Sequence, residues 1–102
     1  MNVLAHIRQT VLAGHYRFSE KAFDEMETDD LTEEDVVESI REATRIEKRL
    51  RSTSAFRSSS REYLYVIVSP NSHGVPIYTK GKFTSEAGVE TYYFLVSSKR
   101  AL

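Results

Sequence analysis

The sequence predicts a single α+β domain, in which N-terminal helices pack on one face of a mostly antiparallel sheet of three or four strands. Its length of 102 residues suits one domain. Apolar residues recur at helical spacing as far as residue 43, and from there onward they alternate with a period of two. Because the helical segments all precede the strands, we expect the helices to lie together against the sheet.

Three helices are predicted in the first 43 residues. The first spans 2–13, because its apolar residues share one helical face. Ser19 is a suitable N-cap for the second helix, since its hydroxyl can accept a hydrogen bond from a free backbone N–H of the first turn. Thr32 and Asp35 form a pattern similar to a capping box at the start of the third helix, which runs to about Ala43.

Strands and turns are predicted for the rest of the chain. Segment 15–18 is predicted to be a short extended link, and the serine-rich segment 52–60 a loop. Gly81 is expected to interrupt the third strand, and the charged first strand is expected at a sheet edge. The predicted strands cover 44–50, 61–69, 75–83 and 89–97.

Several functional classes are excluded or disfavoured by composition. The absence of cysteine excludes disulfides, thiolate metal sites and thiol catalysis. The three histidines do not have metal-ligand spacing, and neither GxxxxGK nor GxGxxG occurs, so we predict no metal and no cofactor. His6 and Arg8 interrupt the only apolar stretch near the start, and no run reaches membrane-spanning length. We therefore expect a soluble, cytoplasmic protein with no membrane partner.

Charge is segregated along the chain. Segment 20–42 holds eleven carboxylates and two bases, whereas segment 45–102 holds ten bases and four acids. Helix starts favour carboxylates, so most of the acidic run has a structural explanation. The basic half is interpreted in two ways: as an ordinary solvated surface, or as a face that attracts phosphates.

The basic half also carries aromatic and hydroxyl side chains, a combination that suits RNA. Cations neutralise phosphates, and aromatic rings stack on unpaired bases. RNA can also be cleaved without metal when one group takes the 2′-OH proton, cations stabilise charge on phosphorus, and a donor protonates the 5′-oxygen. His73 is a further candidate for proton transfer. The candidate catalytic residues are Lys80, Lys82, Tyr93 and Lys99, and the candidate substrate-binding residues from this chemistry are Arg57, Arg61 and Arg100.

The N-terminal segments HIRQTVLAGHYRFSEKAFDEM and LTEEDVVESI resemble the domain of unknown function 4258 family, which is grouped with RelE/ParE-like toxins such as BrnT and MqsR. The resemblance covers roughly residues 3–43. GVPIYTKGKF and the closing LVSSKRA are similar to that group more loosely. The resemblance implies a RelE-like fold, a toxin that cleaves mRNA without metal, and an antitoxin protein as partner. It also implies a substrate-binding role for Lys21 and a role for Lys99.

Lys21 stands where that family has a histidine, and lysine is a poor general base near neutral pH unless its pKa is lowered. Two main hypotheses therefore stay open. One is a RelE-type endoribonuclease toxin, and the other is a non-catalytic protein-binding module of the same fold, whose acidic helices face a partner. A third, weaker hypothesis is a nucleic-acid-binding regulator; it is disfavoured because no helix carries a base-reading set of side chains.

Overall fold

The three predicted helices are present in the computed structural model, which describes residues 2–51 and 62–102. They are α1 Val3–Leu12, α2 Glu20–Thr28 and α3 Glu33–Glu42. The predicted caps are confirmed: the Ser19 hydroxyl accepts from the Ala22 N–H at 3.0 Å. At α3, the Thr32 hydroxyl accepts from the Asp35 N–H at 3.0 Å. The Asp35 carboxylate in turn accepts from the Thr32 N–H at 2.9 Å, which completes a capping box.

Within the described residues the sheet has five strands, in the order β1-β5-β4-β3-β2. Neighbouring strands pair antiparallel, except that β1 runs parallel to β5. The α+β class is therefore confirmed, as is the edge position of the charged strand β2. The strand bounds are β1 Tyr16–Phe18, β2 Lys48–Arg51, β3 Tyr63–Pro70, β4 Pro76–Glu86 and β5 Val89–Arg100.

The predicted count of three or four strands is too low, because the link at 15–18 contains strand β1. This strand joins the sheet through distant partners, with the Tyr93 N–H donating to the His15 carbonyl at 2.9 Å. The Ser19 N–H donates to the Leu95 carbonyl at 3.0 Å. Three residues are too few to show an alternating pattern, so nothing local in the sequence marks this strand.

Gly81 does not interrupt β4, which continues through it to Glu86. The register between β4 and β5 shifts at Lys80/Gly81, as at a β-bulge. The ring of Tyr93 occupies the space above Gly81, where an added Cβ would lie only 2.5 Å from the ring. A glycine is therefore required here by close packing.

The hydrophobic core lies between the helices and one face of the sheet. On the sheet side, the central strands contribute residues that are fully buried. The core includes Ile7, Val11, Met26, Val36 and Ile40 from the helices and Ile67, Ile77, Tyr93 and Leu95 from the sheet.

No helix in the described part of the chain is both long and apolar enough to cross a membrane.

Carboxylates of α2 and of its C-cap residue bind β5 beyond the end of β1. Glu25 accepts from the Ser98 N–H at 3.2 Å and from the Ser97 hydroxyl at 2.7 Å. Asp29, one turn later, accepts from the Arg100 N–H at 2.8 Å. These two side chains satisfy N–H groups that β1 is too short to reach, and they fix α2 beside β5.

Carboxylates of α3 bind the turn between β3 and β4 in a similar way. Asp35 accepts from the Asn71 side-chain amide at 3.1 Å. Glu38 accepts from the Ser72 N–H at 3.2 Å and from its hydroxyl at 2.8 Å. Four carboxylates of the acidic run thus bind β5 or the β3–β4 turn: Glu25, Asp29, Asp35 and Glu38. Among these four, Asp35 is the one at a helix start, where the sequence interpretation expects acids.

Candidate nucleic-acid interface

The sheet face opposite the helices, here called the open face, carries the basic and aromatic residues of the strands. Alternation assigns side chains to it, since Ile67, Ile77, Tyr93 and Leu95 are fully buried on the helix side. The strand register then aligns the remaining residues in rows across the sheet. The open face comprises Arg17, Lys48, Leu50, Leu64, Val66, Val68, Tyr78, Lys80, Lys82, Tyr92 and Phe94.

Lys80 lies at the centre of this face, and its ammonium forms no ion pair within the described residues. Its cross-strand neighbour on β3 is Val66, whose other neighbour is Lys48 on β2. The Cα atoms of the two lysines are therefore about 9.6 Å apart, two strand spacings of about 4.8 Å. Val66 between them is only 3% exposed. The row therefore places one cation on each side of a buried apolar residue.

Lys82, two residues along the same strand, has a different environment. Its ammonium lies 2.9 Å from the Glu62 carboxylate, and the two side chains are 19% and 6% exposed. The positive charge of Lys82 is therefore compensated, which makes Lys80 the better candidate for an external anion. The sequence did not identify Glu62 as a partner of Lys82. Because Glu62 is two residues before Leu64, alternation along the strand would place both side chains on this face.

Two tyrosine rings of this face have cations above them. The Arg17 guanidinium lies 4.6 Å from the centre of the Tyr92 ring. The Lys99 ammonium lies 5.2 Å from the centre of the Tyr78 ring. Tyr92 also makes an edge contact with Phe94, at 6.4 Å between ring centres. Cationic and aromatic groups are therefore interspersed on the open face, and along β4 Lys80 lies between Tyr78 and the row that contains Tyr92.

Lys99 also borders a groove between α2 and β5, together with Lys21. Their ammonium groups lie 4.0 Å and 3.3 Å from the same carboxylate, Glu25. Burial tends to raise the pKa of Glu25, but hydrogen bonds from Ser97, Lys21 and Ser98 outweigh it and lower the pKa. The groove has a volume of about 360 Å³. Lys21 and Lys99 thus meet at one carboxylate, and Lys21 lies on α2 rather than on the open face.

Tyr93 does not lie with the lysines. Its side chain is fully buried on the helix side, where its ring packs 5.3 Å from that of Phe83. Burial strongly raises the pKa of its phenol, and the nearby Tyr65 raises it further. A buried phenol on the opposite side of the sheet cannot reach a phosphate held by Lys80, so we do not retain Tyr93 as a catalytic candidate. Tyr92 is the adjacent phenol that the open face presents.

The remaining candidates are dispersed. Arg57 and Arg61 lie outside the described residues. Arg100 is exposed at the end of β5, where its backbone N–H donates to Asp29. His73 is exposed in the turn between β3 and β4. Within the described residues, no group of three histidine, aspartate or glutamate side chains could hold a metal ion.

Comparison with known proteins assigns no family to this chain. No protein-family model matches the chain, and neither a curated protein nor a solved structure is significantly similar to it.

Proposed function

We propose that this protein binds single-stranded RNA on the open face of its sheet and cleaves it without a metal ion, as the resemblance to RelE-type toxins implies. The observation that carries the proposal is the position of Lys80, an ammonium without a carboxylate partner among the described residues, at the centre of a sheet face that carries tyrosines. In the same proposal, an antitoxin protein is the regulatory partner.

A single strand suits this face better than a duplex. Exposed rings can stack only on bases that are unpaired, while cations beside them hold the phosphates. Tyr78 and Tyr92 are partly exposed on this face. The net charge of −1 disfavours strong binding to duplex DNA, which depends mainly on charge. The acidic helices lie on the other side of the sheet, so they leave this face basic.

Cleavage would proceed by attack of the 2′-oxygen on phosphorus. The new O–P bond forms as the P–O5′ bond breaks, the 2′-OH proton passes to a base, and the 5′-oxygen receives a proton. Lys80 would stabilise the negative charge that builds up on the phosphorus oxygens. With Tyr93 buried, Tyr92 is the phenol on this face that is available for proton transfer, because His73 lies in the β3–β4 turn near Asp35 of α3.

Binding is tested by fluorescence anisotropy with a labelled single-stranded RNA and the same sequence as a duplex. Lys80→Gln should weaken binding to the single strand about fivefold and should reduce the slope of log K against log salt by about 0.7, the value for one lost phosphate contact. Arg41→Gln is the matched control, because it removes one positive charge from α3, where Arg41 pairs with Glu42. Equal affinity of Lys80→Gln and wild type, or preference for the duplex, would refute the binding proposal.

Cleavage is tested by incubating the same RNA with the protein in the presence of a chelator. We expect 2′,3′-cyclic phosphate products from wild type and a rate at least tenfold lower for Lys80→Gln at saturating protein. Intact RNA after incubation with wild type would remove the catalytic part of the proposal while leaving binding to be decided by anisotropy.

The second candidate is the non-catalytic protein-binding module. The burial of Tyr93 and the pairing of Lys82 with Glu62 favour it, because both withdraw predicted catalytic groups from solvent. Under this hypothesis a pull-down yields one stoichiometric partner, and wild type shows no detectable RNA binding. Toxicity on expression that is relieved by a co-expressed partner would instead favour the toxin.

A further inference from the structure

A second basic cluster lies on the other side of the sheet, at its β2 edge. Arg49 and Arg51 alternate with Lys48 and Leu50, so they point to the face opposite Lys48. Their guanidinium groups lie 4.8 Å and 5.9 Å from the centre of one ring, that of Tyr63 on β3. All four residues of β2 are exposed. This cluster of Arg49, Arg51 and Tyr63 is called the edge station.

The edge station has no anion of its own. Within the described residues neither arginine forms an ion pair, and the nearest acid along the chain, Glu47, pairs with Arg45 at 2.9 Å. Two residues apart on one strand, the arginine Cα atoms are separated by about 6.8 Å. Two like charges held over one ring repel each other unless an anion lies between them, and guanidinium groups favour phosphate because they can donate two hydrogen bonds to it.

The edge station is continuous with the open face through Lys48. This lysine belongs to the same strand, but its side chain lies on the open face in the row that contains Lys80. Cations therefore follow one another from the centre of the open face to the sheet edge and then to the reverse side. In the described part of the chain, no further strand pairs with the outer edge of β2.

We propose that a single RNA strand held by Lys80 continues over Lys48 and round the β2 edge, so that the edge station binds a second phosphate several nucleotides away. The inference rests on the proposed RNA binding and extends it to the path and length of the ligand. A single strand can change direction within a few nucleotides, whereas a duplex with a persistence length of about 150 base pairs cannot turn round one strand. The path thus selects flexible single strands over duplexes.

The test compares the affinities of labelled single-stranded oligouridylates of about 4 and about 12 nucleotides, lengths within the range of single-strand binding sites. Wild type should bind the longer RNA at least tenfold more tightly. Arg49→Gln/Arg51→Gln should lose about tenfold on the longer RNA and less than twofold on the shorter. Its salt slope on the longer RNA should fall by about 1.4, because two phosphate contacts are lost.

The charge-matched control is Arg41→Gln/Arg45→Gln, which removes two exposed arginines that already pair with Glu42 and Glu47. It should bind both lengths as wild type does. Charged residues on an edge strand can also serve only to prevent aggregation, and in that case the edge variant would self-associate while its monomer kept full affinity. Size-exclusion chromatography with light scattering detects that outcome, which would overturn the inference.

If Arg49→Gln/Arg51→Gln lost equal affinity for both RNA lengths, or lost affinity for neither, the proposed role of the edge station would also be overturned. That result is distinguishable from failure of the proposed function. If Lys80→Gln still weakens the short RNA, binding to the open face stands and only the path round β2 is refuted. If neither length binds wild type, both proposals fall together.

Discussion

Substitution of Gly81 tests how tightly the sheet packs beneath the helices. A Cβ at this position would lie 2.5 Å from Cε2, 2.6 Å from Cζ and 2.8 Å from the hydroxyl oxygen of Tyr93. The ring is fully buried and packs 5.3 Å from that of Phe83, so moving it would disturb its neighbours in the core. We expect Gly81→Ala to lower the free energy of unfolding by about 3 kcal/mol, the upper part of the range for overpacked cores. In a strand without this contact, the same change would be close to neutral or stabilising by about 0.4–1 kcal/mol.

The free energy of unfolding is measured by urea denaturation followed by circular dichroism. Thermal unfolding of Gly81→Ala should show a Tm more than about 10 °C below that of wild type. A double-mutant cycle assigns the cause. In a Tyr93→Leu background, which removes the clashing atoms, Gly81→Ala should cost less than about 1 kcal/mol. Gly14→Ala is the control: its φ of +83° makes alanine unfavourable, but nothing lies within 4 Å, so its cost should be equal in both backgrounds. An equal cost of Gly81→Ala in both backgrounds would refute the reasoning.

Three further predictions concern the polar contacts of the fold. Thr32→Ala removes half of the α3 capping box and should cost about 1 kcal/mol by urea denaturation; Thr32→Ser should restore it, and a loss common to both variants would contradict a capping role. Because the pKa of Glu25 is lowered in the folded state, its contribution to stability is present above its ordinary pKa of 4.5 and is lost as the pH falls through the lower folded value; the stability difference between wild type and Glu25→Gln should therefore shrink in acid, and a difference constant with pH would disprove the linkage. Lys82→Met removes the ammonium that pairs with the buried Glu62 carboxylate and should cost about 3 kcal/mol. Adding Glu62→Gln should recover part of that loss, and full additivity of the two changes would show that the pair is not coupled.

The helices could be predicted from sequence because their determinants are local. Ser19 and Thr32 cap α2 and α3 through partners three residues away. Strand β1 could not be predicted in the same way, since Tyr16–Phe18 is held by hydrogen bonds to β5, far along the chain. Propensity and periodicity report on neighbours in sequence, whereas a three-residue strand is defined by its pairing in space.

The candidate site was predicted only in part for a similar reason. Alternation separates Tyr92 and Phe94 from Tyr93 and Leu95, but both sets are apolar or aromatic, so the pattern cannot say which set faces the helices. That choice depends on Gly81, whose missing side chain makes room for the Tyr93 ring. Lys80 and Lys82 are two residues apart, so alternation puts them on one face of β4, yet their different charge environments depend on Glu62, which precedes β3.

The acidic and the basic residues of the chain differ in their contacts. Carboxylates such as Glu25, Asp29 and Glu38 accept hydrogen bonds from β5 and from the β3–β4 turn, so they hold the helices to the strands. Lys80 and the edge arginines have no comparable partner in the described residues. If this division is correct, neutralising the acids should reduce stability, whereas neutralising those bases should leave stability within about 0.5 kcal/mol and reduce RNA affinity. A loss of stability from Lys80→Gln as large as that from Glu25→Gln would show that the basic residues, too, serve the fold rather than a ligand.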